Sequence, residues 1–77
     1  MKTYHVEIVD PVEMEFDPIR GKSGKQAIEK ALVYAGYKNA VYVWAENTGL
    51  TYPDGKRPKQ LKYRENDIYI HAIAWTI

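Results

Sequence analysis

The chain of 77 residues contains no cysteine, one serine and one phenylalanine. The absence of cysteine excludes disulfide bonds and zinc–thiolate sites, and it favours a reducing compartment. With no cysteine and a single serine, side chains that act as enzymatic nucleophiles are scarce. The sequence also lacks the ~18-residue apolar run of a membrane span and the apolar core of a signal peptide. We therefore expect a soluble, cytoplasmic protein with no catalytic activity, cofactor or metal.

The length predicts a single α+β domain over residues 1–77. A chain of this size buries roughly 60% of the surface of its unfolded state, so its core is thin. A deep substrate cavity would be difficult to stabilise inside such a core. The size therefore favours a protein that acts through its surface.

Charge is divided unevenly along the chain. Residues 1–19 hold one basic and five acidic residues, net −4, and residues 20–64 hold ten basic and three acidic residues, net +7. Residues 65–77 add −2, which gives the overall net charge of +1. This balance argues against a protein that coats nucleic acid with a uniformly basic surface. Ordinary interspersed surface charge is the simpler explanation.

The segment from Ser23 to Gly36 carries every signal of an amphipathic helix. Ser23 is a good N-cap, and Gln26 stands three residues later, as in a capping box. An apolar stripe follows at helical spacing, and Gly36 comes directly after it, where a left-handed residue ends many helices. The stripe consists of Ala27, Ile28, Ala31, Leu32 and Ala35.

Five segments alternate as strands do. The first two are separated by Asp10-Pro11, which predicts a turn between them, and the second presents acidic residues on its outer side. Asp17 to Lys22 contains proline and glycine and is predicted to be a loop. The last strand is apolar on both sides, which is typical of a central strand. The predicted strands are residues 3–9, 12–16, 40–47, 61–65 and 68–77.

These elements predict a small, mainly antiparallel, twisted sheet in the order β-β-α-β-β-β, with one helix packed on one face. One helix covers one face only, so the other face is expected to carry a cluster of aromatic side chains that binds a partner. Two alternatives remain: the loop of residues 52–59 folds over this face, or the register is shifted by one. The predicted partner-binding residues are Tyr42, Trp44, Tyr69, His71 and Trp75.

A second candidate site is a run of basic residues interleaved with tyrosine. Such a run can contact phosphates and stack bases, as modules that bind single-stranded nucleic acid do. The simpler explanation is a solvated loop. The predicted residues are Tyr52, Lys56, Arg57, Lys59, Lys62 and Arg64.

Catalytic and metal chemistry have little support. His5 and His71 would be neighbours if the first and last strands pair, but two histidines without nearby carboxylates make a weak metal site. Glu13 and Glu15 point the same way, yet they lie on an exposed side where burial cannot raise a pKa.

Several of these features together resemble the small phage-encoded anti-CRISPR inhibitors. They are the short leading strands, the Ala27, Ile28, Ala31 pattern of the helix, and the turn at residues 47–50 followed by Tyr-Pro-Asp-Gly-Lys-Arg at residues 52–57. The resemblance implies a non-catalytic viral inhibitor in the host cytoplasm that docks on a CRISPR surveillance complex and obstructs nucleic-acid access. The alternative function is a small nucleic-acid-binding module that uses residues 56–64. The two-sided apolar last strand also makes a homodimer an expected state.

Overall fold

The computed structural model describes the backbone of residues 1–46 and 59–77 and the side chains of residues 1–45 and 60–77. The predicted turn at residues 47–50 and three predicted site residues, Tyr52, Lys56 and Arg57, lie outside this part of the chain. The α+β class and the single predicted helix are confirmed for it. Its elements are β1 (Lys2–Asp10), β2 (Met14–Glu15), β3 (Ile19–Gly21), α1 (Gly24–Tyr34), β4 (Val41–Glu46), β5 (Lys59–Glu65) and β6 (Ile68–Thr76).

The six strands form one sheet in the order β2-β1-β6-β5-β4, and β3 also pairs with β1. Each of the described pairings is antiparallel. β2 pairs with the second half of β1 and β3 with its first half, so the two short strands follow one edge. The last strand in sequence, β6, lies in the middle of the sheet. The apolar residues on both of its faces predict this central position.

The second strand differs from the prediction. Only Met14 and Glu15 remain of the predicted strand over residues 12–16, and a further strand, β3, lies where a loop was predicted. Ile19 is 7% exposed and belongs to the core, and it lies opposite Tyr4 of β1. Burial of Ile19 between β1 and α1 draws this segment into the sheet although it follows a proline.

Helix α1 begins and ends as predicted. The Ser23 hydroxyl accepts from the Gln26 amide at 3.1 Å. Gln26 Oε1 accepts from the amide of Lys22, whereas a capping box would use the amide of the N-cap residue Ser23. Gly36 has a φ of 97°, and the amides of Gly36 and Tyr37 donate to the carbonyls of Val33 and Leu32. This is a Schellman motif. In the described residues no helix has the length and apolarity needed to cross a membrane.

The core lies between α1 and one face of the sheet. From the helix it takes the four buried residues Ala27, Ile28, Ala31 and Leu32. α1 packs over β1, β3, β5 and β6. β4 lies beyond the helix. The alternation of residues 40–47 predicts that the small and branched residues Val41, Val43 and Ala45 fit beneath the helix, but all three are exposed, so this prediction is wrong.

Candidate functional site

The face of the sheet turned away from α1, which we call the open face, holds most of the predicted aromatic residues. In β6, Ile70, Ala72 and Ala74 are buried in the core under the helix. Successive side chains of a strand point to opposite faces, so Tyr69, His71, Ile73 and Trp75 lie on the open face. The predicted face of Tyr69, His71 and Trp75 is therefore correct.

Tyr42 lies on the helix side, which corrects its predicted place beside Trp44. It pairs with Tyr63, whose ring it meets edge-on at 5.8 Å, and Lys25 of α1 stands 5.0 Å over the Tyr42 ring. The ladder shifts between Tyr42 and Trp44, leaving Val43 as an extra residue in β4. A bulge of this kind breaks the strict alternation of a strand. Trp44 pairs with Lys62 and stays on the open face.

Trp44, Lys62, Arg64 and Tyr69 form a group on the open face that we call the basic aromatic cluster. The Lys62 ammonium lies 4.6 Å from the centre of the Trp44 ring and 4.5 Å from that of Tyr69. The Arg64 guanidinium lies 5.8 Å from the Tyr69 ring. All three distances lie within the range of cation–π interactions, so the rings attract the two positive charges. The cluster brings together residues from both predicted sites.

The rings of this cluster are half exposed. Trp44 is 51% exposed and Tyr69 46% exposed. Trp75 is partly buried, and its ring lies 4.2 Å from that of His5. His71 Nε2 lies 4.0 Å from Oδ2 of Asp10. The open face thus offers aromatic area and positive charge at its β4–β5 side.

The opposite side of the open face is acidic, and we call it the acidic margin. Glu7 pairs directly with Glu15 across β1 and β2, and Asp10 lies near the end of the same face. His5 Nε2 lies 3.0 Å from Oε1 of Glu7. The donor atoms of His5, Glu7 and Glu15 all lie within 4.8 Å of one another, a spacing that a divalent cation could bridge. The sequence does not predict this group, because Glu15 comes close to Glu7 only through the register in which β1 and β2 pair.

Behind the basic aromatic cluster, β5 is fixed to the helix by a charged network. Glu29 Oε2 accepts from the Tyr63 hydroxyl at 2.8 Å and from Lys25 Nζ at 2.6 Å. Burial works against ionisation of Glu29, but the hydrogen bonds from Lys25 and Tyr63 outweigh it and lower its pKa. Burial raises the pKa of Tyr63 well above its usual range, and the bond to Glu29 raises it further. β5 therefore presents Lys62 and Arg64 from a fixed backbone.

A groove of about 530 Å³ lies on the helix side of the sheet, between the β2–β3 link and α1. Arg20 and Lys30 are among the residues that line it. The Lys30 ammonium donates to the Arg20 carbonyl at 2.8 Å, so it holds the rim of the groove together.

The structure brings Trp44, Tyr69, Lys62 and Arg64 together and separates Tyr42 from them. His5 and His71 lie on paired strands, as the pairing hypothesis required, but the partner of His5 is Trp75 and that of His71 is Asp10. Lys59 is the first residue of β5, and its side chain lies outside the described part of the chain. Comparison with protein-family models, with curated proteins and with solved structures found no match to this chain.

Proposed function

We propose that the chain binds single-stranded nucleic acid on the basic aromatic cluster of the open face. The observation that carries this proposal is the placement of Lys62 between the rings of Trp44 and Tyr69, with Arg64 beside Tyr69. Phosphate charge and exposed base faces are the two features that such a surface complements.

Each component of the cluster has a distinct part in this binding. Lys62 and Arg64 neutralise phosphates, and their cation–π contacts hold the charges close to the sheet. The half-exposed rings of Trp44 and Tyr69 offer π-surfaces on which unpaired bases stack. Paired bases have no free face for this contact, so a single strand is preferred over a duplex.

The acidic margin sets the path of the strand. Glu7, Asp10 and Glu15 repel phosphates from the β1–β2 side of the open face. The backbone therefore follows the β4–β5 side of the open face, where Lys62 and Arg64 lie.

Binding is tested with fluorescently labelled oligonucleotides of thymidine or uridine and with a duplex of equal length, by anisotropy over a range of salt concentrations. The two tryptophans of the chain, Trp44 and Trp75, both lie on the open face, so base stacking should also quench the intrinsic fluorescence. Replacing Lys62 or Arg64 by alanine should weaken binding and lower the salt slope by about 0.7 for each phosphate that the variant no longer neutralises.

Lys38→Ala is the matched control, because Lys38 is exposed beyond the C-terminal end of α1 and carries the same charge. It should leave affinity and salt slope close to those of the unchanged protein. Absence of binding at low salt, or equal losses in Lys62→Ala and Lys38→Ala, would contradict the proposal.

The second candidate is the function that the anti-CRISPR resemblance implies, an inhibitor that docks on a host protein complex in the cytoplasm. The observation in its favour is the apolar surface of β4, the last strand in the sheet order, where Val41 is 61% and Val43 38% exposed. As the last strand of the sheet among the described residues, β4 can pair with an extended segment of another protein, and its side chains can be buried there.

This second function is tested by reconstitution. A purified CRISPR surveillance complex should bind the chain at fixed stoichiometry and lose target-DNA binding in its presence. Val43→Arg should abolish capture, whereas Val33→Arg, at an exposed helix position, should not. Loss of target binding without any complex between the two proteins would instead favour direct competition for nucleic acid.

A further inference from the structure

Three side chains of the acidic margin, those of His5, Glu7 and Glu15, converge where β1 pairs with β2. His5 Nε2 lies 3.0 Å from Oε1 of Glu7, and one donor atom from each of the three residues lies within 4.8 Å of the other two. Two histidines without a pair of carboxylates nearby predict no metal site. The fold supplies that pair to His5, because Glu15 of β2 lies directly opposite Glu7 of β1.

We propose that His5, Glu7 and Glu15 form a binding site for one divalent transition-metal ion, for which Zn²⁺ is the probe. An imidazole nitrogen with two carboxylate oxygens is a donor set that suits Zn²⁺ and its neighbours Co²⁺ and Ni²⁺. Mg²⁺ and Ca²⁺ prefer sets made of oxygen alone. Three protein ligands leave the fourth position of a tetrahedral ion to water.

The distances within the group fit such an ion after a small adjustment. Ligand atoms around a tetrahedral Zn²⁺ lie about 3.3 Å apart, because each bond is about 2.0–2.2 Å long. The 3.0 Å between His5 and Glu7 is already close to that spacing. The widest separation in the group is within 4.8 Å, so its atoms need to approach by ~1.5 Å at most. Glu15 is exposed, so rotation of its side chain supplies this movement.

The surroundings of His5 and Glu7 distinguish the group from an ordinary exposed acidic cluster. Their side chains are only 26% and 22% exposed. The His5 ring lies 4.2 Å from the ring of Trp75, and Glu7 lies opposite Ile73, which is 6% exposed. Water screens charges less beside such an apolar wall, so the attraction between the carboxylates and a cation is stronger there.

The pairing of Glu7 with Glu15 is a second, independent observation that favours a cation. Like charges directly opposite each other on neighbouring strands destabilise a sheet. β2 consists of two residues, so few other contacts offset this repulsion. A protonated His5 balances only one of the two carboxylates. A divalent cation balances both and joins β2 to β1.

Calorimetric titration of ZnCl₂ into the untagged, metal-free full chain tests the site, with thermal unfolding as a second readout. One Zn²⁺ should bind per chain, and Tm should rise with Zn²⁺ concentration because only the folded state assembles the three ligands. MgCl₂ and CaCl₂ at equal concentrations should have neither effect. Nucleic acid is absent and no ligand belongs to the basic aromatic cluster, so failure of this proposal and failure of the proposed function are distinguishable.

His5→Gln and Glu15→Gln should each weaken Zn²⁺ binding by at least about tenfold, since loss of a residue that merely supports a ligand already costs that much. His71→Gln and Glu13→Gln are the matched controls. His71 lies on the same face, 4.0 Å from Asp10, and Glu13 is exposed two residues before Glu15. Each control removes the same chemical group from outside the site, so Zn²⁺ affinity should stay unchanged.

Nitrogen-15 resonances of the histidine rings identify the ligand directly. Zn²⁺ should shift those of His5 and leave those of His71 in place. Circular dichroism verifies that each variant folds, and Glu15→Gln, at an exposed position, keeps the test decisive if His5→Gln does not fold. Absence of one-to-one Zn²⁺ binding would overturn the proposal, as would binding that persists in the folded His5 and Glu15 variants or is lost in His71→Gln.

Discussion

The hydroxyl of Tyr63 donates a 2.8 Å hydrogen bond to Oε2 of Glu29 and so joins β5 to α1 across the core. Lys25 Nζ donates to the same oxygen at 2.6 Å. Tyr63 is 1% exposed, whereas the side chains of Lys25 and Glu29 are 44% and 45% exposed. The network thus runs from a buried phenol to the solvent. Its buried end should matter most for stability, because exposed ion pairs contribute little.

Replacing Tyr63 by phenylalanine should lower the free energy of unfolding by about 1 kcal/mol. The ring and its packing remain, so the loss measures the hydrogen bond alone. For a domain of this size, that loss corresponds to a fall in Tm of roughly 4–8 °C. Urea and thermal unfolding followed by circular dichroism measure it.

Tyr34→Phe is the matched control, because Tyr34 is 72% exposed on the same helix that Glu29 occupies. It should change stability by less than about 0.5 kcal/mol. Equal effects of the two substitutions would mean that the bond to Glu29 contributes nothing to stability.

Alkaline pH should destabilise the protein through the same phenol. Burial, and then the bond to Glu29, raise the pKa of Tyr63 above its ordinary value of 10.0. The folded state therefore holds this proton more tightly than the unfolded state does. The stabilisation is complete below about pH 10 and is lost as the pH rises toward the folded-state pKa.

Urea midpoints of the unchanged protein and of Tyr63→Phe, measured at intervals from neutral pH upward, test this effect. The unchanged protein should lose stability faster above about pH 10, because only it carries the shifted phenol. Titration of lysines affects both proteins and cancels in the comparison. Parallel curves would contradict the raised pKa.

Gly36 provides a prediction about the end of the helix. Its φ of 97° is left-handed, and a Cβ built there meets nothing within 4 Å. The cost of Gly36→Ala is therefore purely that of the backbone, about 1 kcal/mol. Gly36→Asn should cost less, because asparagine adopts this conformation more readily. Chemical denaturation of both variants measures the difference, and an equal loss in both would indicate a steric cause.

Helix α1 could be predicted almost residue by residue because its signals are local. The Ser23 cap, the apolar stripe and Gly36 all act within a few residues of the backbone groups they satisfy. β6 was predicted equally well: both of its faces are apolar, and it is the central strand.

The strand β3 could not be predicted in this way. Pro18 and Gly21 are typical of a loop, and three residues are too few to show alternation. The burial of Ile19 under α1, which draws the segment against β1, depends on contacts distant in sequence.

The candidate site was predicted in part. Trp44 and Tyr69 were assigned to the correct face, but their contact with Lys62 depends on the order β4-β5-β6, which alternation alone does not reveal. Tyr42 was assigned to the wrong face because one bulge residue, Val43, breaks the period of two, and no turn residue in the sequence marks it.

The placement of Tyr42 gives the last prediction, a comparison of Tyr42→Ala with Val41→Ala. Tyr42 is 44% exposed, yet its ring meets the buried Tyr63 edge-on and lies under Lys25. Aromatic pairs contribute about 0.5–1.5 kcal/mol beyond the area they bury. Tyr42→Ala should therefore cost about 1–2 kcal/mol, whereas Val41→Ala, at a residue 61% exposed, should cost under about 0.5 kcal/mol. Since Tyr42 lies on the helix side, its replacement should leave oligonucleotide affinity unchanged in folded protein. A selective loss of affinity with unchanged stability would place the ring on the open face instead.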